Sequence, residues 1–526
     1  MAGFFKKNAG PEGRESILAR RPWLVFGALV AVMLCLTLYR LGSRDVCSGN
    51  EAVEAVFVQQ MVEHGKLLFP LENGRVPMYK PPLFHWTATA IDHLLGLSKV
   101  TAFNLRLPSV LYATAGVVLT MLFAYGILGL DGALVAGLTL AGSYQYVSEG
   151  RYGRVDMTLA FFEALALFSL FWWLGPKPAE AEAREMRWDR RRGFQYLAAL
   201  AIGCGVLAKG PVGAILPVGA MGIYVIVESR LGEALRRLDP PALVFAILLS
   251  GSWYFACWVG GRYGFLDRQI GSENFGRFFG TLGTMAPWYY VKPLLLNSAP
   301  FSLLVPIAVL ALLYGRPMVP APDEGPDTAR EAARLCAIFW LVTVVFFEIA
   351  AYKRRSYLLP LWPAAAVMLA WFARGLAIRY GRRLVVGGYV VIAAAAIVFN
   401  FFYIPYREAR DCGGDSYRLA ARDINRAVGP KEPLYTYGFR EEIAPLLFYL
   451  DRNAPELRGP LADAPPGYII VPAGVWRENQ SRALDLTPVL TSSHGNRHLV
   501  LLHRGRIYAR LVLPARGGKR SPARNQ

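Results

Sequence analysis

The sequence predicts an all-α polytopic membrane protein with about 11 to 13 transmembrane helices and a small α/β domain at its C-terminal end. Three observations lead there. Of 526 residues, 54% are hydrophobic and only 18% charged, against about 25% charged in soluble domains. Apolar runs of roughly fifteen to twenty-three residues recur from Trp23 to Tyr403, near the length of about 20 that spans a bilayer. After residue 405 the pattern becomes short helical and strand-like stretches rich in charge, as a soluble α/β fold requires.

The elements follow in chain order. Residues 1–22 carry Lys6, Lys7, Arg14, Arg20 and Arg21 ahead of a full-length apolar run at 23–41. That pattern predicts a cytoplasmic N-terminus and a retained anchor rather than a cleaved signal peptide. Residues 42–82 then lie outside, with four Lys/Arg against five Asp/Glu. Within them, 51–64 predicts an amphipathic helix in the membrane interface: Val53, Val56, Phe57 and Met61 share one face, with Glu51, Glu54 and Glu63 off it.

Apolar runs follow at 83–97, 106–128, 131–148 and 157–174. The chain must pass from outside to inside across them, so an odd number of crossings is required. The 83–97 run, with Asp92 and His93 inside it, is the expected irregular piece. Further spans are placed near 194–208, 211–228, 241–260, 291–314, 335–351, 356–373 and 384–404. These leave the Arg-rich segments 177–192, 230–237, 316–334 and 374–383 inside, as positive-inside anchors. Lys353-Arg354-Arg355 falls on the wrong side of that rule, and an anionic ligand would explain it. The transmembrane part covers 23–405, the outer domain 406–511 and a basic disordered tail 512–526.

The net charge of +19 could suggest nucleic acid. Its confinement to short loops between spans argues against nucleic acid as a partner and for membrane lipid. The six cysteines show no metal-ligand spacing. Cys47 and Cys412 are the two placed outside, where an oxidising compartment would permit a disulfide.

Five stretches could carry chemistry. Ser48-x-x-Glu51 matches a capping box, but Asn50-Glu51 also opens the first outer helix. Lys80 in MYKPPL sits where chain meets membrane, as a snorkelling lysine or as a cation for a lipid phosphate. Asp156 heads the 157–174 run as a helix-stabilising acid or as a functional carboxylate beside Arg151 and Arg154. Lys209 in LAKGP and Lys353-Arg354 are boundary charges, which are costly and usually paired or functional. Threading brings these cations to one leaflet with a few carboxylates. Cleavage of a phosphate-linked lipid needs that set: cations for the phosphate and a base for the attacking hydroxyl.

The chain resembles the polyprenyl-phosphate-sugar glycosyltransferases of the GT-C superfamily, in the branch of lipid A aminoarabinose transferase and protein O-mannosyltransferases. The stretches that carry the resemblance are NEAVEAVFVQQMVEHGKLLFPLENG, YKPPLFHW, NLRLPSVL, GRVDMTLAFFEAL, LAKGP, PWYYVKPLL and KRRSYLLPLWPAAAV, in the family's order. The resemblance implies an inverting hexosyl- or pentosyltransferase of a bacterial inner membrane, with its site and C-terminal domain on the periplasmic side. It would take a sugar from a polyprenyl-phosphate donor to a lipid, glycan or protein acceptor. It implies Glu51, Asp156 and Asn50 as the catalytic group, and Tyr79, Lys80, Arg106, Arg151, Lys209, Lys353 and Arg354 as substrate-binding residues. No cofactor is required; a divalent metal would suit carboxylates and phosphate oxygens, but no ligand spacing demands one.

One departure matters. The family has Asp where this chain has Asn50, and an amide cannot accept a proton at neutral pH. Glu51 or Asp156 then takes the base role, or the acceptor is acidic enough to need little help, or transfer has been lost. The alternatives to an enzyme are a lipid-linked-sugar transporter, which should show inverted repeats, and a non-catalytic lipid-binding subunit.

Overall fold

The computed structural model describes residues 21–176, 188–281, 283–314, 327–412, 416–439, 443–494 and 497–505. The basic N-terminus, the basic tail and parts of the 177–192 and 316–334 loops lie outside the described residues. Two compact units result: residues up to 46 together with 50–411, and residues 47–49 together with 412 onward.

The first unit is helical. Helix α1 is Pro22–Leu38 and α2 is Gly49–Val62. The 83–97 run yields α3, Leu83–Leu94, about 18 Å at 1.5 Å per residue and too short to cross a bilayer. Next, α4 spans Ala102–Gly142 but contains Gly129 at φ +71°. That left-handed conformation favours glycine, and it divides α4 into two helical arms. The short α5 (Tyr144–Glu149) and the apolar α6 (Val155–Leu174) follow.

Helices α7 (Trp188–Lys209), α8 (Val212–Val227) and α9 (Pro240–Val259) follow. The predicted 291–314 span is instead broken into Val291–Leu296 and α10, Phe301–Tyr314. Pro300 between the two pieces lacks the N–H that a continuous helix would need. Then come α11 (Thr328–Ile349), α12 (Leu361–Tyr380) and α13 (Arg382–Asp411). Six of the described helices are long and apolar enough to cross a membrane, and three shorter apolar helices accompany them.

The apolar windows of α6 and α12 are 78% buried, whereas that of α13 is 17% buried; α6 and α12 therefore form the centre. Phe123 of α4 stacks on Phe168 of α6 at 4.1 Å. Polar pins also cross the core: Trp362 Nε1 donates to Gln145 Oε1 at 3.1 Å, and Asn400 donates to the Gly142 carbonyl at 2.9 Å. Unpaired in hydrocarbon, such groups would cost several kcal/mol each, roughly.

Helix α2 differs from an amphipathic interfacial helix. Every residue from Glu51 to Met61 is buried, the two acids included. It lies inside the protein, with its carboxylates matched by cations.

The second unit is a four-stranded sheet with flanking helices α14 (Tyr417–Ala427) and α15 (Ala444–Leu450). Strands β1 (Leu434–Thr436), β2 (Gly467–Pro472), β3 (Leu486–His494) and β4 (Arg497–Arg504) take the order β1-β2-β4-β3. The β1–β2 pair is parallel, in the register Tyr435 to Ile469; the other pairs are antiparallel. Ile469, Val471, Val500 and Leu502 fill its core. Cys47 and Cys412 are joined by a disulfide, with Cα atoms 5.7 Å apart.

Candidate active site

The two acids of α2 are both buried and are held by different cations. Glu51 is fully buried and is saturated with donors. Arg106 Nε reaches Oε1 at 2.7 Å and its Nη2 reaches Oε2 at 3.0 Å. Arg44 adds 3.1 Å to Oε2, and the Gly153 amide donates 2.9 Å to Oε1. Burial opposes its ionisation, but the Arg106 and Arg44 charges, with the hydrogen bonds from Arg106 and Gly153, outweigh that and hold the carboxyl at about 2. Both oxygens are occupied by these donors, so the carboxylate faces neither its own helix start nor the cavity described below.

Arg106 spends its remaining donors on the Leu41, Arg44 and Asp45 carbonyls. Arg151 is likewise built in: it pairs with Glu408 through two 2.9 Å bonds and caps the carbonyls of Leu36, Thr37 and Tyr39 at the end of α1. Both residues, expected at substrate, are inner braces of the fold.

Glu54 one turn on is also fully buried. Its Oε1 accepts from Lys80 Nζ, and its Oε2 lies 2.7 Å from His85 Nε2. Burial raises its pKa, but the Lys80 charge, with the hydrogen bond and charge of His85, more than compensates and brings it to about 2. The prolines after Lys80 stop α3 from extending back and fix the lysine at the helix mouth.

Lys80 opens onto a cavity of about 340 Å³. One wall is apolar, with Ile215, Phe275, Phe278 and Phe346 among its residues; the polar end gathers Lys80, Lys209, Arg277, Tyr79, Tyr352 and Tyr357. Lys209 donates to Asp156 Oδ1 at 2.5 Å and sits over the Tyr357 ring at 4.5 Å. Arg277 pairs with Glu273 at 2.6 Å and donates to the Tyr357 hydroxyl at 3.1 Å. Such a chamber suits a ligand with a long apolar tail and an anionic head.

Asn50 and Arg354 meet: Arg354 Nη1 donates to Asn50 Oδ1 at 2.7 Å, and its Nη2 and Nε reach the Tyr352 hydroxyl. Lys353, by contrast, is buried and donates to the Ala350 carbonyl at 2.9 Å. Of the sequence-predicted cations, Lys80 and Lys209 therefore line the cavity. Arg354 reaches Tyr352 on its wall, whereas Arg106, Arg151 and Lys353 are turned to backbone or buried carboxylates. Arg277, Tyr352, Tyr357, Glu54 and His85 were not singled out from sequence. The aromatic-flanked arginine of ENFGRFF and the histidine of YKPPLFHW were the available signals. Among the described residues, no three His, Cys, Asp or Glu converge as metal ligands.

Known proteins resemble this chain in sequence and in fold. The family model for dolichyl-phosphate-mannose-protein mannosyltransferase matches residues 23–257. The undecaprenyl phosphate-alpha-4-amino-4-deoxy-L-arabinose arabinosyl transferase of Pectobacterium atrosepticum is 28% identical over 396 residues, covering 72% of this chain and 66% of that protein. The chain spans 57% to 66% of the length of the arabinosyl transferases it matches. The crystal structure of ArnT from Cupriavidus metallidurans bound to undecaprenyl phosphate superposes with a TM-score of 0.75 at 18% identity, covering 92% of this chain and 98% of that one. Archaeal oligosaccharyltransferase AglB from Archaeoglobus fulgidus, in complex with an inhibitory peptide and a dolichol-phosphate, gives 0.55 at 11% identity over 88% of this chain and 70% of that one.

The chain is thus a polytopic membrane protein with the fold of ArnT, similar in sequence to the protein mannosyltransferase family over residues 23–257. The relatives it is similar to are the arabinosyl transferases and, over residues 23–257, the protein mannosyltransferases.

Proposed function

We propose that this protein is an inverting glycosyltransferase that moves a sugar, hexose or pentose, from a polyprenyl-phosphate donor to a lipid, glycan or protein acceptor on the periplasmic face of a bacterial inner membrane. The observation that carries the proposal is the cavity whose apolar wall ends in Lys80, Lys209 and Arg277. The wall takes the first prenyl units, and the three cations take the phosphate. Their attraction grows as the leaving phosphate gains charge in the transition state, which is where electrostatic stabilisation accelerates transfer.

The acceptor oxygen attacks the anomeric carbon from the face opposite the phosphate. The carbon–oxygen bond to phosphate breaks, and polyprenyl phosphate leaves. Asp156 receives the acceptor's proton. It is preferred over Glu51 because Glu51 is locked by two arginines and an amide, whereas Asp156 is held through Oδ1 by a cavity lysine. Asn50 holds Arg354 in place and takes no proton.

The test is donor binding and transfer with purified protein in lipid nanodiscs. Lys80→Ala and Arg277→Ala should each weaken binding of undecaprenyl phosphate by roughly tenfold or more, the loss of about 1.5–3 kcal/mol expected for a hydrogen bond to a charged group. Unchanged binding in both would remove the donor assignment.

A further inference from the structure

A second cavity, of about 80 Å³, lies where α5, the Tyr152–Arg154 turn, Arg355 and the end of α13 meet. Its chemistry is the reverse of the donor cavity: three guanidiniums, Arg154, Arg355 and Arg407, face it with the carboxylates Glu149 and Asp411. Arg407 is held by the Tyr144 hydroxyl at 2.7 Å and by Asp411 at 3.6 Å. Arg355 pairs with no carboxylate at salt-bridge distance among the described residues.

The remaining pair is loose. Arg154 Nη1 stands 3.5 Å from Glu149 Oε2, and both Arg154 Nε and that oxygen are buried without a hydrogen bond. Buried polar atoms are satisfied in native proteins far more often than not, so a donor-rich and acceptor-bearing pocket with open positions is built for something that fills them. The walls are braced from outside. Arg44, already paired with Glu51, stacks on the Tyr152 ring at 4.1 Å, and Gln145 Nε2 holds the Arg355 carbonyl at 2.6 Å. Arg154 lines this cavity, and two residues further on Asp156 bonds Lys209, which lines the donor cavity.

We propose that this polar cavity binds the anionic group of the acceptor. Arg355, Arg154 and Arg407 take a phosphate or carboxylate, and Glu149 Oε2 accepts a hydrogen bond from a hydroxyl of the same molecule. Guanidinium forks suit both anions, and the small volume admits a headgroup but no hydrocarbon chain. The acceptor role rests on the glycosyltransferase reading above; the anion site itself does not.

Inorganic pyrophosphate is the probe, titrated onto the full chain in phosphatidylcholine nanodiscs, with undecaprenyl phosphate titrated separately. Arg355→Gln and Arg407→Gln should each weaken pyrophosphate roughly tenfold, and their undecaprenyl phosphate binding, which also reports folding, should stay within about threefold of wild type. Lys80→Ala should do the opposite. Glu149→Gln should leave pyrophosphate binding intact but weaken glycerol 3-phosphate, which carries hydroxyls. Nanodiscs containing phosphatidic acid that compete with pyrophosphate would assign the phosphate to a lipid headgroup, and glycerol 3-phosphate binding without that competition would assign it to a soluble acceptor; both uphold the site. Pyrophosphate binding unchanged in both arginine variants, or fully displaced by undecaprenyl phosphate, would overturn it. A wild type that ignores undecaprenyl phosphate while keeping arginine-dependent pyrophosphate binding would sink the donor reading alone.

Discussion

Arg354 donates a 2.7 Å hydrogen bond to Oδ1 of Asn50, a residue 304 positions earlier in the chain. An amide supplies this acceptor without supplying a base, so the proposed transfer needs a carboxylate elsewhere, and Asp156 is the one proposed above. Asp156→Asn should lower kcat by about 100-fold or more, the usual range for loss of a general base. Asn50→Asp would turn the bond to Arg354 into an ion pair, and it should change kcat by less than about tenfold. Transfer assays at saturating donor decide it. A gain of several orders in Asn50→Asp, with little loss in Asp156→Asn, would move the base back to position 50.

The Glu54–Lys80 pair predicts a different signature. Transfer converts a phosphodiester donor into a lipid phosphate of higher negative charge, so an uncompensated lysine would hold product more tightly than substrate. Glu54, bonded to Lys80 and His85, offsets that attraction. Glu54→Gln should therefore tighten inhibition by undecaprenyl phosphate about tenfold and lower kcat, with donor KM moving less. Product-inhibition constants measure this directly. Weaker inhibition in the variant would mean that Glu54 serves only to position Lys80.

Much of this architecture could be read from residue pattern. In the second unit, the short charged stretches after residue 405 that read as helix and strand do fold as a sheet with flanking helices. The irregular status of 83–97 followed from its buried-type charges, and α3 is indeed short. What pattern could not supply was pairing at long range. Arg106 and Arg151 look like free cations because their carboxylates, Glu51 and Glu408, lie 55 and 257 residues away. Glu51 and Glu54 look solvent-facing on a helical wheel for the same reason: the cations that let them be buried come from other segments. Arg277 escaped notice because its value lies in the aromatic wall around it.

The Glu51 cluster makes acid sensitivity predictable. Its carboxyl is held at about 2 against the ordinary 4.5, and that of Glu54 likewise. A depressed folded-state pKa stabilises above the unfolded value, and the contribution is lost as pH falls toward the folded one. Thermal stability should be flat at neutral pH and decline from about pH 4.5 downward toward 2. Arg106→Gln, which leaves the buried carboxylate to Arg44 and the Gly153 amide, should cost up to about 3–5 kcal/mol at neutral pH and should flatten that acid limb. Melting curves across pH report both effects. An Arg106→Gln protein as stable as wild type would contradict the structural role assigned to that arginine.

The Cys47–Cys412 bridge joins residues 365 positions apart, and both lie in segments expected outside the membrane, where thiols are oxidised. Under non-reducing denaturing conditions, alkylation should therefore label four of the six cysteines, and all six should react after reduction. Closing so long a loop restricts the unfolded chain, so Cys47→Ser/Cys412→Ser should lower stability by about 2–5 kcal/mol. Binding of undecaprenyl phosphate should persist in the double variant, because neither cysteine lines the cavity. Labelling of all six cysteines without reductant would show that the pair is not oxidised in the protein as purified.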